Sequence, residues 1–203
     1  MVRFSILLLS LIYCMQAGLA QELPLEGKQW LEEEVVYIIT PKEKKVFLSL
    51  KSNRERDVFK RAFWIQRDPT FGTEKNEFKD EHYRRLTYAQ TILGRGSVRP
   101  GWQTDRGRFY IILGAPVDIQ RYIETSQNLV TCELRQYQGD TSLGLPPFFY
   151  IIFYQEPGSG EYKLYSPSFD GPQRLTQHSF QATTSEQVSR RQVVLPLWKC
   201  RHL

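Results

Sequence analysis

With 203 residues and a formal net charge of +5, the chain has room for one domain with a substantial core and little room for a second. Acidic residues are interleaved with the lysines and arginines along its whole length. That excludes the concentrated basic patch of a nucleic-acid binder and leaves a solvated mixed-charge surface as the expectation.

The first element reads as an export leader. Arg3 supplies a short positive region, residues 4–13 are apolar apart from two serines, and Gly18-Leu19-Ala20 places small residues before a cleavage point between Ala20 and Gln21. An uncleaved anchor is the weaker reading, because the apolar run is about ten residues and a spanning helix needs roughly 20. Lipidation at Cys14 is disfavoured by the bulky Tyr13 in front of it. Removing residues 1–20 takes the net charge to +4, since Arg3 is the one charged residue lost. No later stretch is long and apolar enough to cross a membrane, so the mature chain is expected in the periplasm or outside the cell, with no stable membrane insertion. The expected partition is a leader over 1–20, a domain over 21–170 and a polar tail over 171–203.

The mature chain keeps Cys132 and Cys200. An oxidising compartment permits a disulfide between them. Closing so long a loop would stabilise the fold by about 4 kcal/mol at most in the chain-entropy account.

Helices come first. Leu31-Glu32-Glu33-Glu34-Val35 has a helical pattern and Val35-Val36-Tyr37-Ile38-Ile39 a strand pattern, read together as a helix running into an extended end. Thr40-Pro41-Lys42-Glu43 is a helix start, with threonine as cap, proline at the first position and glutamate completing a capping box. Ser52-Asn53-Arg54-Glu55 repeats the signal, and Val58, Phe59, Ala62 and Phe63 form the stripe that helix should bury. Asp68-Pro69 stops it. A third helix is expected over 74–93, opened by Thr73 and closed by Gly94, with Phe78, Leu86, Ala89 and Leu93 on one face. Asp80 with Arg84 and Glu81 with Arg85 should support the other.

From Gly107 the character changes. Arg108-Phe109-Tyr110-Ile111-Ile112-Leu113 predicts a buried strand by its β-branched and aromatic content, ended at Gly114-Ala115-Pro116. Further strands are expected over 131–137, 148–154 and 161–165, the last two joined by a turn at residues 156–160. The 193–198 segment reads either as an edge strand or as a ragged end. Successive strands with short connections imply an antiparallel sheet. The fold class is therefore α+β, with about three N-terminal helices followed by an antiparallel sheet of about four strands.

At Arg99-Pro100-Gly101-Trp102-Gln103-Thr104-Asp105-Arg106-Gly107-Arg108 the chain resembles the bacterial GWxTD domain family. The likeness extends upstream through Phe63-Trp64-Ile65-Gln66-Arg67-Asp68-Pro69-Thr70, Asn76-Glu77-Phe78 and His82-Tyr83-Arg84-Arg85, and downstream through Tyr110-Ile111-Ile112-Leu113-Gly114-Ala115-Pro116. It covers residues 47–122 well and 131–167 more loosely. The resemblance implies a bacterial, exported setting and carries no reaction with it. Members of the family often continue into further domains, which implies that the tail over 171–203 is cut short.

Read physically, the motif is a connection between helix and sheet. Gly101 after Pro100 suits a type II turn with positive φ, and Trp102 offers an apolar face to plug the joint. Thr104 and Asp105 can accept backbone N–H groups one or two residues on, and Gly107 lets the backbone pass close to something. The competing reading follows the charge. Arg67, Asp68, Glu77, Asp105, Arg106 and Arg108 lie in the two joints flanking the third helix. Were those joints to meet, Asp105 with Asp68 or Glu77 could perform acid–base hydrolysis and the arginines could clamp an anion. The plainer alternative is an Arg–Asp network that pins the loops.

Metal and nucleophile chemistry find little footing. Lys79 stands where a zinc-binding HxxEH helix needs its first histidine, and His82, His178 and His202 are scattered. No cofactor is expected. The sequence thus points to a non-catalytic, exported binding module whose partner is an envelope protein, peptide or glycan, with the carboxylate-pair hydrolase as the alternative.

Overall fold

The computed structural model describes residues 23–70, 72–123, 130–156 and 158–175. The leader with its cleavage point, Cys200 and the 193–198 segment lie outside these residues. The chain divides into two compact units between Phe63 and Trp64.

In the first unit, α1 (Leu25–Gln29) runs directly into a π-helical turn, Trp30–Glu34, which the Val35 N–H closes by donating to the Trp30 carbonyl at 3.0 Å. The extended end expected next is a turn instead. The amides of Ile38 and Ile39 both donate to the Val35 carbonyl, at 3.0 and 2.9 Å. Helix α2 (Pro41–Ser49) has the expected capping box in both directions, and α3 (Asn53–Ile65) follows a second one between Ser52 and Glu55. Trp30 anchors the core, its ring 4.8 Å from Phe47 and 5.2 Å from Phe63. Of the predicted stripe, Phe63 is buried and Phe59 half-buried, while Val58 and Ala62 remain exposed.

The second unit begins at Trp64. Helix α4 (Glu77–Tyr88) starts later than expected because Asn76, not Thr73, is its cap: Asn76 Oδ1 accepts from the Lys79 N–H at 2.8 Å. The same side chain ties the helix to the Trp64 carbonyl through Nδ2 at 2.7 Å, while the Thr73 hydroxyl donates to the carbonyls of Thr70 and Lys75. Glu81 receives both Arg84 and Arg85 at 2.7 Å. Paired with these two arginines, and only partly buried, its carboxyl is lowered to about 2. The helix then widens into a π turn, Ala89–Leu93, closed by the Gly94 N–H on the Ala89 carbonyl at 3.0 Å.

The main correction follows. Residues 105–113, most of which composition assigned to a strand, form helix α5 (Asp105–Leu113). Thr104 caps it, Asp105 lies at the positive end of its dipole, and Arg85 Nη1 donates to the carbonyls of Ile111 and Ile112 at the other end, at 3.4 Å each. The run is apolar because Phe109, Tyr110 and Ile111 are all buried. A short helix covered on several sides carries no amphipathic period, so it cannot be told from a buried strand by pattern.

The sheet takes its fourth strand from a segment of weak signal, β1 (Asp118–Tyr122). With β2 (Cys132–Gln138), β3 (Phe148–Gln155) and β4 (Tyr162–Leu164) it forms an all-antiparallel sheet in the order β1-β2-β3-β4. Helices and sheet together make the α+β class expected. The register places Ile119, Arg135 and Ile151 on one face, and Arg121, Glu133 and Phe153 on the same face beside them. Helix α5 packs on that face through Phe109, whose ring lies 5.9 Å from Phe153, within a core that includes Tyr137 and Ile151. The opposite face carries a smaller cluster of Val130, Tyr154 and Tyr165. A four-residue α6 (Pro167–Asp170) follows β4.

Candidate functional site

The motif opens as one 3-10 turn, Gly101–Gln103, between the π turn and α5. The expected type II turn does not form, and Gly101 is not among the residues with positive φ. It is glycine for lack of space. A Cβ at Gly101 would stand 2.0 Å from the Ala89 carbonyl oxygen, and one at Gly107 would stand 1.9 Å from the Gly101 carbonyl oxygen. The backbone thus crosses itself twice, π turn against Gly101 and Gly101 against the first turn of α5. Thr104 is buried between them. Its hydroxyl donates to the Gly101 carbonyl at 2.8 Å, and the same oxygen accepts the Gly107 N–H at 3.0 Å. Trp102 is half-buried.

Asp105 does not make the short-range Asx turn expected of it. Its Oδ2 accepts the Leu164 N–H of β4 at 2.7 Å. The next amide along, that of Tyr165, points the other way to the Ile152 carbonyl of β3. Successive amides of an extended strand alternate in direction, so the Leu164 N–H faces away from the sheet and Asp105 closes that edge. Asp68 Oδ1 accepts the Thr70 N–H at 3.0 Å, and Glu77 is exposed in the first turn of α4. Among the described residues no hydrogen bond or ion pair joins Asp105 to Asp68 or Glu77. Arg67 is half-buried, and Arg108 is exposed with its guanidinium 6.0 Å from the Phe109 ring.

Arg106 leads elsewhere, to the charged centre of the domain. Glu133 on β2 is fully buried and receives three arginines: Arg106 Nη1 at 3.3 Å, Arg121 Nε at 3.0 Å and Arg135 Nη2 at 2.7 Å. Burial alone would raise its carboxyl, but the three guanidiniums override that and hold it below the ordinary value of 4.5. Arg106 is pulled down, chiefly by its own burial, and rests on the Tyr162 ring 4.0 Å away. Arg135 is 1 % exposed and lies over the Phe153 ring, with its Nη1 and the nearby Tyr137 hydroxyl both buried without a hydrogen-bond partner. Arg121 differs from both, its side chain being 59 % exposed.

Sequence reasoning found Arg106 and missed Glu133, Arg121, Arg135 and Tyr162. The signal was the alternation Glu133, Arg135, Tyr137 along β2. A strand face of that composition reads as solvent-facing until the helix that covers it is known to bring an arginine of its own.

Two other features complete the survey. A shallow groove of about 570 Å³ in the first unit is lined by Leu50, Ser52, Arg54, Glu55, Val58, Phe59 and Ala62. Its carboxylate is already engaged, since Glu55 accepts from the amides of Lys51 and Ser52. The Cys132 thiol donates to the Val130 carbonyl at 3.2 Å and is pushed up by burial. Among the described residues no group of three His, Cys, Asp or Glu side chains is arranged to hold a metal ion, and no helix is long and apolar enough to cross a membrane.

Comparison with known proteins finds no match among the curated proteins and none among the solved structures. A family model does match: the GWxTD domain, over residues 21–133, from the N-terminal helices through the interlocked motif to Glu133 of β2. On that match, which spans more than half of the chain, the protein belongs to the GWxTD domain family.

Proposed function

We propose that this GWxTD-domain chain is a non-catalytic binding module of the cell envelope that takes an extended segment of a partner protein along β1. The observation that carries the reading is the asymmetry of the sheet. All five residues of β1 are exposed, and among the described residues β2 is its only neighbouring strand. Val117, Ile119 and Ile123 add exposed aliphatic side chains at and beside the strand. An open edge of this kind presents unpaired backbone N–H and C=O groups to any chain that can extend beside it. Export is supported by the leader-like composition of residues 1–20, and the family match begins at Gln21, the residue after the expected cleavage point.

The carboxylate-pair hydrolase draws no support from the geometry. Asp105 and Asp68 each accept a backbone N–H, which suits the fixing of strand and loop. The test is an amide NMR titration of the chain with a capped, β-forming peptide. Shift changes should concentrate over residues 117–123 and spare Tyr162–Leu164. Changes confined to the groove in the first unit, or none at any peptide concentration, would overturn the reading.

A further inference from the structure

We propose that the segment received at β1 is acidic, and that Arg121 clamps a carboxylate of that segment with the outer pair of nitrogens of its guanidinium. This rests on the reading of β1 as the docking edge, and adds what the edge selects.

Three observations converge on Arg121. First, only its Nε is committed, to Glu133 Oε2 at 3.0 Å. No residue described in the structure accepts from its Nη1 or Nη2, and the side chain is 59 % exposed. The end-on pair of N–H groups that fits a carboxylate bidentately is therefore turned to solvent while the inner edge of the same group is anchored. Second, the local charge is unbalanced. Arg106, Arg121 and Arg135 share one carboxylate, and Arg135 Nη1, in a residue 1 % exposed, has no acceptor. A partly buried cluster with three cations to one anion attracts further negative charge. Third, the register sets where that charge would lie. Arg121 and Ile119 share the face on which α5 packs, flanked by the exposed Val117 and Ile123. The opposite face of β1 is already satisfied, with Gln120 Nε2 donating to Asp118 and the Tyr122 hydroxyl donating to Gln120. An added strand would thus place alternate side chains beside an apolar–basic–apolar row. Its best complement is apolar–acidic–apolar.

Other occupants fit less well. A second copy paired antiparallel about Gln120 would set Ile119 against Arg121 and bring no carboxylate to it. The chain's own residues 176–203 hold a single acidic residue, Glu186, against Arg190, Arg191, Lys199 and Arg201.

The probe is a capped heptapeptide of threonines alternating with valine, glutamate and valine, compared with the same peptide carrying glutamine in place of glutamate. The full chain is used throughout. The glutamate peptide should bind at least fivefold more tightly than the glutamine peptide. Arg121→Ala should abolish that difference while leaving affinity for the glutamine peptide within twofold, and Arg121→Lys should keep part of it. A glutamate peptide N-methylated at alternate positions should lose binding, because it retains the charge but not the edge hydrogen bonds. Equal binding of the two peptides, unchanged by Arg121→Ala, would overturn the acidic selectivity and leave β1 as the docking edge. Equal binding of the N-methylated and plain glutamate peptides would overturn docking as a strand. Absence of any binding, or concentration-dependent self-association that Arg121→Ala strengthens, would overturn both.

Discussion

The two edges of the sheet have been treated in opposite ways. At β4 the outward amide of Leu164 is met by Asp105 at 2.7 Å, from a helix that caps the strand and is itself locked to the preceding loop by two glycine crossings. At β1 every residue is exposed, and its one buried link to the domain runs through a single arginine on Glu133. The difference teaches what the family's signature residues do. Gly101, Thr104, Asp105 and Gly107 close one side of the domain and leave the other free, so the residues that name the family need not be the ones that meet a ligand.

That contrast predicts a graded series of effects. The largest should come from Glu133→Gln, which removes the counter-charge of two nearly buried arginines and should destabilise by about 3–5 kcal/mol in chemical denaturation. The same group sets an acid limit. Its folded value lies below 4.5, so its contribution is complete above the ordinary carboxylate range and is lost as pH falls through the lowered folded value. Melting curves of the wild type should show that loss, and those of Glu133→Gln should lack it.

Gly107→Ala comes next. A methyl group 1.9 Å from a backbone oxygen forces the 3-10 turn and α5 apart, at about 3 kcal/mol, the upper end of the usual cost of overpacking. A change below about 0.5 kcal/mol would show that the crossing is slack. Asp105→Ala should cost about 1–3 kcal/mol by leaving the Leu164 amide without its acceptor. Faster hydrogen exchange at Leu164, without change at β1, would assign the loss to that edge. Arg121→Ala should be the smallest, within about 0.5 kcal/mol, because an exposed arginine contributes little to folding. A larger loss would mean that β1 is held as firmly as β4 and that the two edges are not so different.

Much of the fold was legible because short-range chemistry announces itself. Thr40 with Glu43 and Ser52 with Glu55 are complete capping signals, and both helices begin where those residues stand. The apolar run of β3 and the alternation of β2 likewise declared strands. Residues 108–113 misled because β-branched content argues for a strand, and the features that decide for a helix come from elsewhere. Thr104 precedes the run, and Arg85 approaches its end from another helix. β1 was missed for the opposite reason, since an open edge has little apolar side chain to advertise. The charged site was half legible. Arg106 stood out beside the motif, but its partner Glu133 is 27 residues away and became visible only once β2 had a neighbour on each side.

The π turn at Ala89–Leu93 has one more implication. Its bond from Gly94 to Ala89 encloses one residue more than an α-helical turn would. Deleting a residue such as Thr91 would restore ordinary winding and still rotate everything downstream by about 100°. Gly101 would then come round beneath a different part of α4, where no carbonyl is matched to its missing side chain. The surplus residue therefore works as a phase setting. It tunes the angle at which the motif arrives, and tolerance to insertion or deletion should be lowest there even though none of its five side chains takes part in the charged centre.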